Sequence, residues 1–284
     1  MEFSYEGYIN ELKYMFNGFL EVSDSMRGVK SESSSNFSEI EGILKKVAHD
    51  TYSVILLAEE YKQKILLEGG YLSMFPYSSI ISLSRCIFES YLVFNYIFIS
   101  TQDDDDEFLY RFTLWQLDGF KLRQNFTIFK DESKAKMVKE QSVVTELYKD
   151  LYSNSKYKKL SKNEKKQFEK KYFRWHPDWT TVASMAGINK KHWRNTYGYM
   201  SQYAHSGYLS AFQIRQIYST EEAKSQCSTS IQMVLIIIAK IISEYSTFHK
   251  NVANALESNK DLFERVNFWV NISEDLEKMY DDKG

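Results

Sequence analysis

The stretch from Ser79 to Ser100, SIISLSRCIFESYLVFNYIFIS, constrains the fold more than any other part of the sequence. Its residues are apolar on every side at helical spacing, which predicts a helix buried all round. Two charged residues, Arg85 and Glu89, interrupt it, and their spacing of four places them on one face about one turn apart. Because an unpaired charge is costly in an apolar environment, we expect this pair to meet a third polar group inside a helical bundle.

The composition of the whole chain favours long helices. The 284 residues include only two prolines and 11 glycines, so chain breakers are few. This scarcity argues against a many-stranded sandwich or barrel, and the length suffices for a sizeable core. A second apolar run, IQMVLIIIAKII at 231–242, predicts another buried helix. We therefore predict an all-α fold, a single multi-helix bundle around two buried apolar helices at about 79–100 and 228–248.

Apolar periodicity and composition divide the chain into three segments. Residues 1–36 are predicted to form an amphipathic helix that leads into a polar linker, KSESSSNFSE at 30–39. Residues 37–256 are predicted to form the bundle core, which includes a helix at about 38–68 ended by Gly69 and Gly70. This core is predicted to include a basic segment at 155–174. Residues 257–284 are predicted to form a C-terminal helix and the acidic tail DDKG.

The apolar stretches are not expected to cross a membrane. The first contains Arg85 and Glu89, and the second is shorter than the roughly 20 residues that a span requires. The N-terminus has early acids and no basic start before an apolar run, so we expect no signal peptide. Cys86 and Cys227 are far apart in the sequence, which is typical of free thiols in a reducing compartment. We expect a cytoplasmic protein without a membrane partner.

Several common functional motifs are missing. The sequence has no glycine-rich phosphate loop, no Gly-x-Ser-x-Gly elbow, and no Cys or His pair at zinc spacing. The run TQDDDDE at 101–107 allows two interpretations, a cation site or a set of acids that offsets the dipole of the following helix. It lacks the spaced ligands and the glycine turn of a metal loop. We expect neither a metal nor a cofactor.

The remaining candidates are polar side chains that interrupt apolar helices. In a predicted helix at about 190–205, Arg194, Ser201 and His205 fall on one stripe with Tyr197 beside it. Arg111 lies early in the helix after the central one, close enough to its apolar stripe to join a buried polar cluster. The candidate site residues are Arg85, Glu89, Arg111, Tyr197, Ser201 and His205.

These motifs resemble a family of uncharacterised all-helical bacterial proteins. The resemblance covers about 40–250 and rests on SRCIFESYL, on Arg111-Phe112, and on Trp179, Gly187 and YGYMSQYAHSG, which has the pattern Tyr, three residues, Ser, three residues, His. Such proteins are often met in mobile or antiphage-defence gene neighbourhoods. They are distantly similar to HEPN domains, the helical bundles of many toxin and defence ribonucleases. The resemblance implies a HEPN-like bundle, a homodimer, and a protein partner from the same gene neighbourhood.

The sequence departs from HEPN nucleases at the catalytic signature, an Arg followed after four to six residues by a His. None of the five histidines satisfies this spacing, so cleavage of RNA would require a composite site, Arg85 or Arg111 with His205. His205 would then act as general acid or base, and Arg85 would stabilise charge on the scissile phosphate. Glu89 would orient Arg85, and Ser201 or Tyr197 would position the substrate.

Three functions remain open from the sequence. The first is a defence or toxin-type protein acting as a metal-independent endoribonuclease. The second is a non-catalytic helical sensor or binding subunit that recognises a nucleotide, RNA or a protein partner. The third is a structural bundle in which the buried pair only holds helices in register.

A lysine-rich stretch offers a surface for RNA. Residues 156–174, KYKKLSKNEKKQFEKKYFR, hold nine Lys or Arg against two Glu, with aromatic residues interleaved. Such a stretch can contact phosphates and stack on bases, but a solvated helix face has the same composition. The net charge of −2 gives no general attraction to nucleic acid, so RNA contact would depend on a local patch. The predicted RNA-binding residues in this stretch are Lys158, Lys159, Lys165 and Lys166.

Overall fold

The computed structural model of the protein describes residues 4–28, 37–59, 64–67, 70–73, 75–170 and 172–281, with the backbone alone at 37, 64–67 and 70–73. Over these residues the predicted all-α class is confirmed, with thirteen α-helices, one π-helical turn (Asn95–Ile99) and one two-stranded hairpin. The elements are α1 (Tyr5–Asp24), α2 (Phe37–Ala58), β1 (Lys64–Leu67), β2 (Gly70–Ser73), α3 (Tyr77–Phe94), α4 (Asp105–Gln124), α5 (Asp131–Ser153), α6 (Ser155–Lys159), α7 (Lys162–Glu169), α8 (Trp179–Met185), α9 (Lys190–Ala204), α10 (Tyr208–Gln216), α11 (Thr220–Phe248), α12 (Lys250–Ser258) and α13 (Lys260–Asp281).

The chain forms two compact units. The first, here called the discontinuous unit, consists of Met1–Phe94 and Gly187–Gly284. The second, the inserted unit, is Asn95–Ala186. This division was not predicted from the sequence, and the three-segment organisation stays a prediction. Of the predicted linker and acidic tail, residues 30–36 and 282–284 lie outside the described residues.

The centre of the discontinuous unit is formed by the two predicted apolar helices. Helix α3 packs against α2, α9 and α11, and α11 also packs against α1, α12 and α13. Both helices bury most of their aliphatic side chains, including Ile81 and Ile87 on α3 and Ile238 and Ile241 on α11. Helix α11 begins with a capping box between Ser219 and Glu222, which satisfies amide groups that the first turn would otherwise leave unpaired.

Helix α11 is the one described helix that is long and apolar enough to cross a membrane by length and composition alone. Of its most apolar window, 67% is buried inside the protein. This burial accounts for the apolar sequence, because the core helix of a folded bundle needs the same composition.

The segment after α2 corrects one prediction. The helix expected at about 38–68 ends at Ala58, and a short antiparallel hairpin follows, with Lys64 opposite Ser73 and Leu67 opposite Gly70. Gly69, which we expected to end the helix, lies outside the described residues. Four-residue strands are too short to give a periodic signal that differs from a helix in the sequence.

Helix α9 confirms the predicted helix at about 190–205 and sets the position of its last residues. The Asn189 side chain caps its start by accepting a hydrogen bond from the Lys191 amide at 2.7 Å. At the other end, the His205 amide donates to the Ser201 carbonyl at 3.0 Å, so His205 completes the last turn. Ser206 then takes a positive φ of 53°, which turns the chain away from the helix axis into α10.

The inserted unit has its own small core. Its buried apolar residues are Leu114, Leu117, Val144, Leu147, Leu151, Tyr157 and Phe168. At the start of α4, the Asp104 side chain accepts a hydrogen bond from the Glu107 amide at 2.9 Å. The acidic run therefore caps a helix and offsets its dipole. Among the residues that the structure describes, no group of three or more His, Cys, Asp or Glu side chains is placed to hold a metal ion.

Candidate functional site

Helices α3 and α9 bring four of the predicted site residues into one hydrogen-bonded cluster, here called the Arg85 cluster: Arg85, Glu89, Tyr197 and His205. Arg85 Nε and Nη2 donate to Glu89 Oε1 at 3.1 and 2.9 Å. Tyr197 Oη donates to the same carboxylate oxygen at 2.7 Å and accepts from Arg85 Nη2 at 2.9 Å. The remaining guanidinium nitrogen, Nη1, lies 2.6 Å from His205 Nε2. The expected third polar group therefore consists of two side chains, separated from Arg85 by more than a hundred residues.

Aromatic packing fixes α9 against α3 at this point. The Phe88 and Trp193 rings meet edge to face with centroids 5.1 Å apart, and Trp193 stacks on Tyr197 at 4.1 Å. The Tyr197 ring also lies beside the Arg85 guanidinium, 4.9 Å from the ring centroid to Cζ, a distance that allows a cation–π interaction. Because Phe88 and Trp193 are buried, the positions of the polar groups beside them are determined by core packing.

The exposure of the cluster's side chains increases from Arg85, near the protein interior, to His205 at the surface. The side chains of Arg85 and Glu89 are 13% and 27% exposed, and His205 is exposed at the end of α9. Burial alone would lower the pKa of Arg85, but the charge of Glu89 and the hydrogen bond with Tyr197 outweigh it, so the pKa is raised. Burial raises the pKa of Tyr197, and its hydrogen bond to Glu89 adds to the effect. Arg85 is therefore a permanent cation, mostly buried, in contact with an exposed His205.

The contact between Arg85 and His205 defines the role of one imidazole nitrogen. A guanidinium can only donate hydrogen bonds, so His205 Nε2 is the acceptor in this contact. The geometry therefore places an imidazole nitrogen directly beside a fixed positive charge.

Two predicted site residues lie outside this cluster. The Ser201 hydroxyl is buried and has no hydrogen-bond partner among the described residues, so it does not reach Arg85 or His205. Arg111 is buried within the inserted unit, where it donates to Glu107, to the Tyr96 carbonyl at 2.7 Å and to Ser100 at 2.9 Å. Of the two arginines expected as alternatives for a composite site, Arg85 is therefore the one that contacts His205, whereas the Arg111 guanidinium joins α4 to the preceding π-helical turn. A binding role for Arg111 stays a prediction.

The predicted lysine surface lies on short helices of the inserted unit. Lys158, Lys159 and Lys166 are exposed, whereas Lys165 is half-buried and donates to the Lys158 carbonyl at 2.9 Å. The aromatic residues interleaved with them largely serve packing: Tyr157 and Phe168 belong to the core of the unit, and only Tyr172 is largely exposed. The expected base-stacking face is therefore reduced to one aromatic ring, and RNA contact by these lysines stays a prediction.

A second cationic surface, not predicted from the sequence, lies on α9 itself. Lys190, Lys191 and Arg194 are exposed, and none of them forms an ion pair within the described chain. Helical geometry places them on the side of α9 that ends at His205, since the eleven residues from Arg194 to His205 complete just over three turns. We call Lys190, Lys191 and Arg194 the α9 cations. The spacing of Arg194 and His205 was visible in the sequence, but the exposure of this face depends on how α9 packs.

Comparison with known proteins identifies one family. A family model described as "Family of unknown function (DUF5677)" matches residues 63–224, which is more than half of the chain. The matched segment contains every member of the Arg85 cluster. No curated protein and no solved structure matches the chain.

Proposed function

The chain belongs to the DUF5677 family, and we propose that it is a HEPN-like, metal-independent endoribonuclease of a bacterial defence or toxin system in the cytoplasm. The observation that carries the proposal is the 2.6 Å contact between Arg85 Nη1 and His205 Nε2. It supplies the two groups that HEPN-type cleavage needs, an arginine and a histidine, although the sequence lacks the usual local spacing. Two helices contribute one group each.

The proposed reaction is a transesterification within the RNA strand. His205 takes the proton of a 2′-hydroxyl, whose oxygen attacks the adjacent phosphorus. The bond between phosphorus and the 5′-oxygen breaks, the 5′-oxygen takes a proton from water, and His205 returns its proton to the hydroxide left behind. Arg85 stabilises the negative charge on the phosphate oxygens as it develops. The products are a 2′,3′-cyclic phosphate and a 5′-hydroxyl, and no co-reactant is consumed.

The hydrogen bonds of the cluster suit this role because they fix two nitrogens of the guanidinium inside the protein and leave the third, Nη1, next to an exposed side chain. Glu89 and Tyr197 occupy Nε and Nη2, so the plane of the guanidinium is fixed from within the protein. Nη1 is bonded to His205, whose ring is exposed and can turn. A phosphate oxygen that replaces the imidazole at Nη1 would leave the other bonds in place and release Nε2 for the 2′-hydroxyl.

The α9 cations support RNA as the substrate. These side chains lie in the first turns of α9, and the eleven residues from Arg194 to His205 correspond to about 16 Å along the same face. Unpaired cations in a row are typical of surfaces that follow a phosphate backbone. This local patch is significant in a chain whose net charge is only −2.

The test is cleavage of single-stranded RNA oligonucleotides by the purified full-length chain. We expect His205→Ala and Arg85→Ala to lower the rate about 10²- to 10⁴-fold, with 2′-deoxy substitution at the cut site abolishing the reaction. His49→Ala is the matched control, because His49 is an exposed histidine on another helix of the same unit. Equal rates for the wild type and His205→Ala would reject the proposal.

One observation favours a second candidate, a non-catalytic binding subunit. Every nitrogen of the Arg85 guanidinium has a partner within the protein, so the cluster is satisfied without a substrate. In that case the wild type would leave RNA intact, and Arg85→Ala would weaken the binding of RNA, a nucleotide or a protein partner from the same gene neighbourhood.

The resemblance to HEPN domains also implies a homodimer. Helix α10 follows His205 directly and exposes apolar side chains, among them Tyr208, 82% exposed, and Ile214. We propose that α10 contributes to this interface, and sedimentation of the wild type against Tyr208→Ser and Ile214→Ser would test it. A monomer at all concentrations in the wild type would contradict the proposal.

A further inference from the structure

A separate cavity of about 360 Å³ lies on the other flank of α9 from Tyr197. It is formed by α9, α11 and the end of α13, all within the discontinuous unit. Residues that line it include Asn195, Thr196, Tyr199, Thr229, Ser230 and Tyr280. Its volume is at the small end of the range for ligand pockets, about 300–1,000 Å³, so it suits a single compact group rather than an extended chain.

The lining of this cavity combines apolar surface with hydroxyl and amide groups, and it includes no charged side chain. Its side chains are hydroxyls, amides, aromatic rings and one thioether. A phosphate or a carboxylate would find no cation inside, and a buried ion without a partner is strongly disfavoured. A purely aliphatic ligand would leave the hydroxyls and amides unpaired. The chemistry therefore favours a neutral ligand with several hydrogen-bonding atoms.

Several of these polar groups have no partner of their own. Ser230 is only 1% exposed, and its hydroxyl makes no hydrogen bond among the described residues. The side chains of Asn195, Thr196 and Thr229 likewise have no hydrogen bond within the described chain. By contrast, Tyr199 is fixed, because its hydroxyl accepts from Gln226 Nε2 at 2.6 Å. A buried hydroxyl without a partner requires an explanation, and a ligand in the cavity that Ser230 lines would supply one.

We propose that this cavity binds a nucleobase. A base is neutral, compact and flat, it carries donors and acceptors along its edge, and its faces can pack against the rings of Tyr199 and Tyr280. Tyr280 is already held in place by stacking on the buried His192, with centroids 5.0 Å apart. The hydroxyls and the Asn195 amide would read the edge of the base, as in recognition of unstacked bases in single-stranded RNA.

The position of the cavity relates it to the α9 cations. Asn195 follows Arg194 directly and lies one turn beyond Lys191. A strand whose phosphates contact those two cations would have a base beside the cavity mouth. The inference therefore rests on the proposed function where the base belongs to an RNA strand. A free nucleoside is the other source of the same chemistry.

The test measures base preference without cleavage. The full-length chain is titrated with fluorescent 2′-fluoro RNA octamers of A, C, G or U, with an abasic octamer, and with the four free nucleosides. We expect one octamer to bind about tenfold more tightly than the others, the discrimination of one well-matched base edge, and the abasic octamer to lose this advantage. Thr229→Val should reduce the preference to within about twofold.

Thr247→Val is the matched control, since Thr247 is also an exposed threonine on α11 but does not line the cavity. Ser230→Ala tests the same cavity if other variants unfold. It removes only an unpaired hydroxyl, so the protein should stay folded. Equal behaviour of Thr229→Val and Thr247→Val, equal affinity for the abasic octamer, or binding of glucose or ribose without any nucleobase would overturn the inference. Preferred binding of one free nucleoside would support a nucleobase site in the cavity, with a free nucleoside as its ligand. A base preference without RNA cleavage would support the nucleobase site and reject only the proposed ribonuclease activity.

Discussion

Two conservative substitutions in the Arg85 cluster should separate a structural from a functional role, because they are expected to rank in opposite orders for stability and activity. Glu89→Gln keeps the shape and the acceptor oxygen but removes the negative charge. Arg85→Met keeps most of the apolar stem but removes the guanidinium. If the cluster serves only the packing of the helices, the variant with the larger loss in the free energy of unfolding should also show the larger loss of activity.

The cost of Glu89→Gln follows from its hydrogen bonds. Glu89 Oε1 accepts from Arg85 Nε at 3.1 Å, from Arg85 Nη2 at 2.9 Å and from Tyr197 Oη at 2.7 Å. The Tyr197 bond changes from a bond to a charged group, about 1.5–3 kcal/mol, to a neutral one, about 0.5–1.5 kcal/mol, and loses about 1 kcal/mol. The two Arg85 bonds keep their charged donor and lose only the attraction between opposite charges, about 1 kcal/mol for a partly exposed pair. We expect a total loss of about 2 kcal/mol in the free energy of unfolding.

The cost of Arg85→Met should be smaller. It leaves Glu89 without its cation, but the Glu89 side chain is 27% exposed and can turn toward water, whereas the Arg85 side chain, at 13%, cannot. We expect a loss of about 1 kcal/mol in the free energy of unfolding. Activity should follow the reverse order. Arg85→Met removes the group that stabilises the phosphate and should lower the rate about 10²- to 10³-fold, while Glu89→Gln should lower it about tenfold.

The assay is urea unfolding followed by circular dichroism, with RNA cleavage measured on the same preparations. Asp50→Asn is the control, because Asp50 and Lys46 form another pair spaced by four residues, on α2. It should change stability by no more than about 0.5 kcal/mol and leave cleavage unchanged. A larger stability loss in Arg85→Met than in Glu89→Gln would refute the reasoning, as would equal cleavage rates for the two variants.

Two further predictions concern the fold. Burial raises the pKa of Tyr77 and Tyr245 to about 12 and that of Tyr197 above its usual value. Since the unfolded chain releases these protons first, the free energy of unfolding should fall as pH rises above about 10, and a flat profile in urea titrations up to pH 11 would contradict this. Gly18→Ala should destabilise the protein by about 1–3 kcal/mol, because a Cβ there would lie 2.3 Å from Cδ1 of the buried Leu262. Gly42→Ala, which meets nothing within 4 Å, should instead stabilise α2 by up to about 1 kcal/mol; equal melting temperatures for the two variants would argue against the packing of α1 on α13.

The features that follow from the period of a single helix could be predicted from the amino-acid sequence alone. The all-α class, the burial of α3 and α11, and the pairing of Arg85 with Glu89 depend on residues a few positions apart, and the geometry of an α-helix fixes their relation before any tertiary contact forms. The stripe that ends at His205 could be predicted for the same reason.

The groups that meet across helices depend instead on tertiary packing. The contact between Phe88 and Trp193 sets the rotation of α9 on α3, and this rotation brings Tyr197 and His205 to Arg85 while it leaves the Ser201 hydroxyl buried and unpaired. The same packing leaves the α9 cations exposed and forms the uncharged cavity beside them. Residues more than a hundred positions apart have no fixed geometry until side chains interlock in the core, so no spacing in the sequence could have predicted these contacts.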